Sequence, residues 1–141
     1  MGKNYGFFKA IHGLRQGDHI SPSIFIISQY VLSRLINRNM ERGNILPYRC
    51  RKRTNCTSHL MFMDDTIIFM NSIWRSICGI NKVLRDYCHW SGQKINRSKS
   101  NIHTSNRCTE GRINIMSIGL DMKKGRLPME YHGTLISPRK L

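Results

Sequence analysis

The sequence predicts an α+β fold, on three observations. Residues 21–40 and 73–90 repeat apolar side chains at helical spacing. Two short apolar runs flank the adjacent carboxylates Asp64 and Asp65 in the pattern of a β-hairpin. Short strand-like segments near both ends then suggest an antiparallel sheet backed by two helices. At 141 residues the chain is one domain's worth of length, and its hydrophobic content of 40% allows a modest core.

Tyr5 to His12 is expected to form one strand. Gly13-Leu14-Arg15-Gln16-Gly17-Asp18-His19-Ile20-Ser21-Pro22 is a polar loop bracketed by glycines. Ser21 can cap free amides and Pro22 suits the first helical turn, so a helix begins here. Ile24, Ile27, Val31 and Leu35, with Phe25 and Leu32 alongside, are expected to form its buried face through about Met40. Arg34, Arg38 and Arg42 fall on the polar face, and Gly43-Asn44 ends the helix. Ile45 to Tyr48 reads as an irregular strand, and the basic run Arg49 to Arg53 as an exposed turn.

His59–Met63 and Thr66–Met70 are separated only by Asp64-Asp65, which places a hairpin with the carboxylates at or near its tip. A turn centred on two aspartates is tolerated rather than preferred. Ile73, Ile77, Ile80, Leu84 and Tyr87 form the apolar face of the second helix, which Gly92 stops. Residues 93–112 are basic and polar with a strand possible at Ile102. Ile113–Leu120 is a further short element, and Tyr131–Ile136 reads as one strand containing a glycine.

Composition narrows the function. With 23 basic and 8 acidic residues the formal net charge is +15 and the pI near 10.3, so a polyanion such as nucleic acid is the expected partner. A solvated basic surface is the plain alternative, and an amphipathic membrane-surface helix a weaker one. No apolar run is long enough to span a bilayer. The five cysteines are odd in number and irregularly spaced, and no signal peptide opens the chain, which suggests free thiols in an intracellular, reducing compartment. Cys50, Cys56 and His59 lack the spacing of a zinc site. Two of the scarce acids nevertheless sit side by side among hydrophobes. Burying like charges together is costly unless a cation such as a divalent metal neutralises them.

These segments, in this order, resemble the palm of a reverse transcriptase, specifically that of LINE-type non-LTR retrotransposons. The loop from Gly13 to Pro22 matches the family's G-L-R-Q-G-D-P-L-S-P pattern, motif B, at eight of ten places. Phe62-Met63-Asp64-Asp65 resembles the F-A-D-D of motif C. Ser91-Gly92-Gln93-Lys94-Ile95-Asn96-Arg97-Ser98-Lys99-Ser100 resembles motif D, S-G-Q-x-I-N-x-x-K-S. Leu127-Pro128-Met129-Glu130-Tyr131-His132-Gly133 resembles motif E, L-P-x-x-Y-L-G. Motifs B and C together are specific; D or E alone would be weak.

The resemblance implies an RNA-directed DNA polymerase, a nucleotidyltransferase using two Mg²⁺ ions, with an RNA template, a DNA primer and deoxynucleoside triphosphates as partners. It implies Asp64 as a catalytic metal ligand, with Asp65 supporting the site or contacting metal less directly. Arg15, Gln16 and Gly17 would face template or nucleotide, and Lys99 would lie near the triphosphate, although it reads equally as a surface lysine. Tyr131 and Gly133 would belong to a primer-supporting strand, with which a plain core strand is equally compatible. Arg49, Arg51, Lys52 and Arg53 would bind phosphates without reading sequence. No protein partner and no membrane are implied, and a nuclear location only by the family.

Residues 1–141 are therefore expected to be a partial reverse transcriptase domain lacking motif A, fingers and thumb. No acidic residue precedes Asp18, so the opposing metal ligand of motif A is missing; the chain alone is expected to bind Mg²⁺ weakly or not at all and to be inactive. His19, Met63 and His132 depart from the family pattern, as in a decaying element. A group II intron maturase-type fragment and a catalytically dead basic nucleic-acid-binding remnant are the competing readings.

Overall fold

The computed structural model describes residues 17–48, 56–105 and 107–137, and within them the chain is α+β. In order come α1 (Ser21–Glu41), β1 (His59–Phe62), β2 (Asp65–Ile68), α2 (Trp74–Ser91), β3 (Asn101–Ile102), α3 (Glu110–Leu120), β4 (Lys123–Lys124), β5 (Met129–Tyr131) and β6 (Thr134–Ile136). The strands pair as three two-stranded ribbons rather than one sheet: β1 with β2 and β5 with β6 antiparallel, β3 with β4 parallel. A third helix, α3, occupies the stretch in which the sequence marks only a short element. The expected strand at 5–12 lies outside the described residues.

Helix α1 starts at Ser21 with Pro22 in its first turn, but Ser21 is not the cap. The N-cap is Ile20, whose amide donates to Asp18 Oδ1 at 3.2 Å, while the Ser21 amide donates to the Asp18 carbonyl at 3.2 Å. The Asp18 carboxylate thereby also brings a negative charge to the positive end of the helix dipole. Arg42 is the C-cap and Gly43 follows at φ 70°, close to where the sequence ends the helix.

The buried face of α1 differs from the expected one. Leu32 and Ile36 are buried, whereas Ile24 and Ile27 are exposed, together with Ile20, Ile26 and Tyr30. Apolar residues cover more than one face of this helix, so spacing alone could not choose between them. Packing chooses. Leu32 and Ile36 join the cluster of Ile45, Ile77, Ile80, Leu84 and Tyr87, and no described element covers the earlier isoleucines. Each fully buried aliphatic side chain contributes roughly 1.5–3 kcal/mol.

Helix α2 buries Ile77, Ile80, Val83, Leu84 and Tyr87, close to the expected face, and ends at Gly92 with φ 67°. Ile73 is its N-cap rather than part of the face. The helix can approach the Asn44–Ile45 turn because position 79 is glycine: a Cβ there would stand 2.5 Å from the Asn44 carbonyl oxygen. Buried Ser76 strengthens this seat, its Oγ accepting a hydrogen bond from the Leu46 amide at 2.9 Å. The seat then reaches the first hairpin, because the Asn71 amide donates to the Leu46 carbonyl at 2.8 Å and Pro47 bridges Met70.

Polar side chains tie the remaining elements. The Tyr87 hydroxyl donates to Gln93 Oε1 at 2.7 Å, and Gln93 Nε2 donates to Ser28 Oγ at 2.9 Å, joining α1, α2 and the segment after α2. The Arg97 guanidinium donates to the Leu120 carbonyl and, at 3.0 Å, to Asn81 Oδ1, holding the end of α3 on α2. β1 is pinned to α1 through His59, whose Nε2 lies 2.8 Å from Ser33 Oγ.

A candidate carboxylate site at the tips of two hairpins

The first hairpin fixes the aspartates. Phe62 pairs with Asp65, Met61 with Thr66, Leu60 with Ile67 and His59 with Ile68, which leaves Met63 and Asp64 as the turn. The turn is therefore not centred on the two aspartates; Asp65 is the first residue of β2. The register is set by burial. His59, Met61, Thr66 and Ile68 share the partly buried face, and Met61 and Ile68 pack on the core, while Leu60 and Phe62 are exposed. A one-residue slip would exchange the two faces. Met63 takes φ 51°, a left-handed conformation that an unbranched side chain adopts only at some cost.

Both carboxylates stand in water, with the Asp65 side chain 65% exposed. Desolvation therefore does not by itself demand a neutralising cation, contrary to what two acids in an apolar run suggest. The apolar flanks are the strands and the acids are at their tip. What the arrangement offers is two adjacent oxygen donors on a short, tightly paired turn.

The second hairpin replaces the single strand expected at 131–136. Tyr131 pairs with Thr134, so His132 and Gly133 form a two-residue connection. Their φ values of 48° and 75° are both positive, as a type I′ turn requires, and glycine takes its position without strain. This turn docks on the first one. The Tyr131 hydroxyl donates to the Asp65 carbonyl at 3.4 Å, and His132 Nε2 lies 3.4 Å from Asp65 Oδ2. The His132 ring tilts against Phe62 at 4.2 Å between centroids and meets Tyr131 edge-on at 4.6 Å. Burial, and then the negative Asp65, push the Tyr131 phenol above its usual pKa of 10.

Asp64, Asp65, Tyr131 and Gly133 thus come together on two adjoining turns. Lys99 does not join them through any hydrogen bond: its side chain is exposed and its amide donates to the Asn96 carbonyl at 3.2 Å and to Asn96 Oδ1 at 3.2 Å. Gly17 opens the described residues at φ 89°, with open space around it. Arg15, Gln16, Arg49, Arg51, Lys52 and Arg53 lie outside them. Among the described residues, no three His, Cys, Asp or Glu side chains converge as a metal cage, and no helix is long and apolar enough to cross a membrane. Sequence reasoning treats His132 only as a departure from a pattern. The His-Gly dipeptide between Tyr131 and Thr134 was the available signal for its place at a turn.

The chain thus presents a carboxylate-bearing β-turn, steadied by a second hairpin and backed by helices, in a strongly basic sequence. The profile of the reverse transcriptase (RNA-dependent DNA polymerase) family matches residues 1–134, and the chain belongs to that family. An uncharacterised mitochondrial protein of Arabidopsis thaliana is 40% identical over 65 residues, an alignment covering 46% of this chain and 53% of that protein. The match thus spans about half the length of that relative. No solved structure matches the chain.

Proposed function

We propose that residues 1–141 are the palm portion, motifs B to E, of a LINE-type non-LTR reverse transcriptase, contributing one half of a two-metal nucleotidyl-transfer site. The observation that carries this is the Asp64–Asp65 turn, in its Phe-x-Asp-Asp setting, braced by the Tyr131–Gly133 turn. Asp64 from the turn and Asp65 from the start of β2 would hold Mg²⁺ through carboxylate oxygens. This donor type suits Mg²⁺, which usually keeps waters and takes one or two carboxylates plus phosphate oxygens. Bound there, the ion supplies Lewis-acid chemistry that favours ionisation of a primer hydroxyl and neutralises charge on the phosphates.

The chain's own residues do the rest. Gly17, with Arg15 and Gln16 before it, would face template or nucleotide. Tyr131 and Gly133 would support the primer, and Lys99 would supply charge toward the triphosphate. Arg49, Arg51, Lys52 and Arg53 would grip backbone phosphates, consistent with the net charge of +15. No acidic residue occurs in residues 1–17, so this reading assigns no upstream carboxylate opposite Asp64 within these residues.

The 141-residue chain should bind a primed RNA–DNA hybrid with strong salt dependence but add no nucleotide. Mg²⁺ should raise its affinity for the hybrid, and Asp64→Asn and Asp65→Asn should each abolish that rise. Robust incorporation would overturn the half-site assignment. An unchanged Mg²⁺ response in both variants would overturn the metal role of the turn.

A further inference from the structure

The outward face of α1 carries an aromatic ring and two cations in one line. Tyr30, Arg34 and Arg38 recur every four residues, about 6 Å of rise apart, so they fall on one side of the helix. All three are exposed, Tyr30 at 63%. The other sides of α1 are occupied: Leu32 and Ile36 face the core, Ser28 accepts from Gln93, and Ser33 meets His59 of β1. The stripe shares no residue with the two hairpin turns.

A groove of about 360 Å³ runs along it, with half-buried Val31 and Leu35 supplying an apolar lining between Tyr30 and the two arginines. Glu41, one turn past Arg38, is the one acid that lines it among the described residues. No structural duty explains the stripe. Among the described residues neither guanidinium makes an ion pair or a hydrogen bond, and the Tyr30 hydroxyl makes none either. The negative end of the helix dipole accounts for a cation at Arg38 in the last turn, but not for Arg34 a turn earlier.

The chemistry of the groove fits one kind of ligand. Its size lies at the small end of ligand clefts and takes one planar base with its sugar. The tyrosine face and the apolar lining offer a stacking surface that any base can use, and the arginines offer fixed charge for phosphates. A duplex hides its base faces in its own stack and cannot use the ring, so aromatic and cations together select a single strand. We infer that the Tyr30–Arg34–Arg38 groove of α1 binds single-stranded nucleic acid, one base stacked on Tyr30 and neighbouring phosphates on Arg34 and Arg38. This is a second nucleic-acid surface, separate from the carboxylate turn, and it does not rest on the metal reading of that turn.

The probe is a short fluorescein-labelled oligouridine, titrated with the full 141-residue chain in EDTA and read by fluorescence anisotropy. Tyr30→Ala should weaken binding about 5- to 150-fold, the worth of one stacked base, and Tyr30→Phe should restore it. Arg34→Gln and Arg38→Gln should each flatten the slope of log affinity against log salt by about 0.7, the loss of one phosphate contact on a single strand. An oligomer of 5-iodouridine should crosslink under ultraviolet light to the tryptic peptide that holds Tyr30, and Tyr30→Ala should lose that crosslink. Far-UV circular dichroism checks that these exposed-site variants fold. Equal affinity of Tyr30→Ala and the parent, or crosslinks confined to other peptides, would overturn the inference. Tighter binding of a polyglutamate of equal length would overturn it in favour of an acidic protein partner. Because EDTA removes metal, failure of the half-site reading leaves these results unchanged, and failure here leaves the Mg²⁺ response of hybrid binding intact.

Discussion

The substitution Gly79→Ala tests the packing that carries the carboxylate hairpin. In an exposed helix, glycine to alanine gains about 1 kcal/mol. Here the new methyl would meet the Asn44 carbonyl oxygen at 2.5 Å, Ile45 Cγ1 at 2.9 Å and the Asn44 carbonyl carbon at 3.0 Å. Ordinary contact begins near 3.4 Å, so α2 or the 44–46 turn must retreat by several tenths of an ångström to nearly one. Neither yields easily, because two of the obstructing atoms are backbone and Ile45 is fully buried. Overpacking of this kind costs about 1–3 kcal/mol and occasionally more. The 2.5 Å backbone contact puts the cost at the upper end of that range, so against the helical gain we expect a net loss of about 2 kcal/mol. Urea unfolding followed by circular dichroism reads it as a lower midpoint at unchanged slope. The control is Gly111→Ala in the first turn of α3, where nothing lies within 4 Å of the added carbon and stability should stay level or rise. A Gly79→Ala protein as stable as the parent would refute the close-approach reasoning.

Other changes probe the site and its supports. Met63→Asn should stabilise the turn by up to about 1 kcal/mol because asparagine tolerates φ near 51°, and Met63→Val should destabilise it, both read from unfolding midpoints. Gln93→Ala should cost about 1–3 kcal/mol, because the buried Tyr87 hydroxyl loses its 2.7 Å acceptor and keeps only a 3.5 Å contact to Ser28. Burial lowers the pKa of His59 below 6.5, so the unfolded chain takes up this proton first. The contribution of His59 is then full above pH 6.5 and is lost as pH falls through that value toward the folded pKa. Unfolding midpoints at pH 7.5 and 5.5 should therefore differ less in His59→Asn than in the parent; an equal difference would show that His59 is not the group responsible.

The hydrogen bonds of His59 accommodate the neutral ring that burial favours. Ser58 has one hydroxyl proton and donates it to Asn37 Oδ1 at 2.9 Å, so its contact with His59 Nδ1 at 2.8 Å requires the imidazole to donate. Nε2 is left bare to accept from Ser33. Neutral imidazole fits this chain of partners between α1 and β1; the sequence shows only a histidine at the start of an apolar run.

How legible each part was depends on the range of the interaction behind it. Helices α1 and α2 were readable because period, proline and glycine are local signals. The hairpin at 59–70 was readable from its flanks, but not its centre, since a left-handed methionine carries no signature in sequence. The buried face of α1 was ambiguous because Ile20, Ile24, Ile26 and Ile27 present apolar surface to several directions, and only Ile45 and α2 decide which residues are covered. Motif D was legible as a pattern, yet the structural work of Gln93 and Arg97 is long-range: Gln93 reaches Ser28 and Arg97 reaches Leu120. The second hairpin is hidden in sequence because one glycine within an otherwise strand-like run, Gly133, does not by itself mark a turn.

The docking of the two turns has a consequence for the site itself. Two exposed aspartates at a bare hairpin tip would be free to swing with it, since a lone two-stranded ribbon is only marginally stable in water. Here the tip is braced by Tyr131 on the Asp65 carbonyl and by His132 between Phe62 and the Asp65 carboxylate. The position of the carboxylate therefore depends on residues more than sixty places later in the chain. A substitution in the second turn can thus act on the candidate metal site without touching either aspartate. Loss of the His132 ring removes one of these two braces and leaves Asp65 held by Tyr131 alone. Asn at that position accepts the turn's positive φ but lacks the ring that rests on Phe62, so it removes the brace while leaving the hairpin in place.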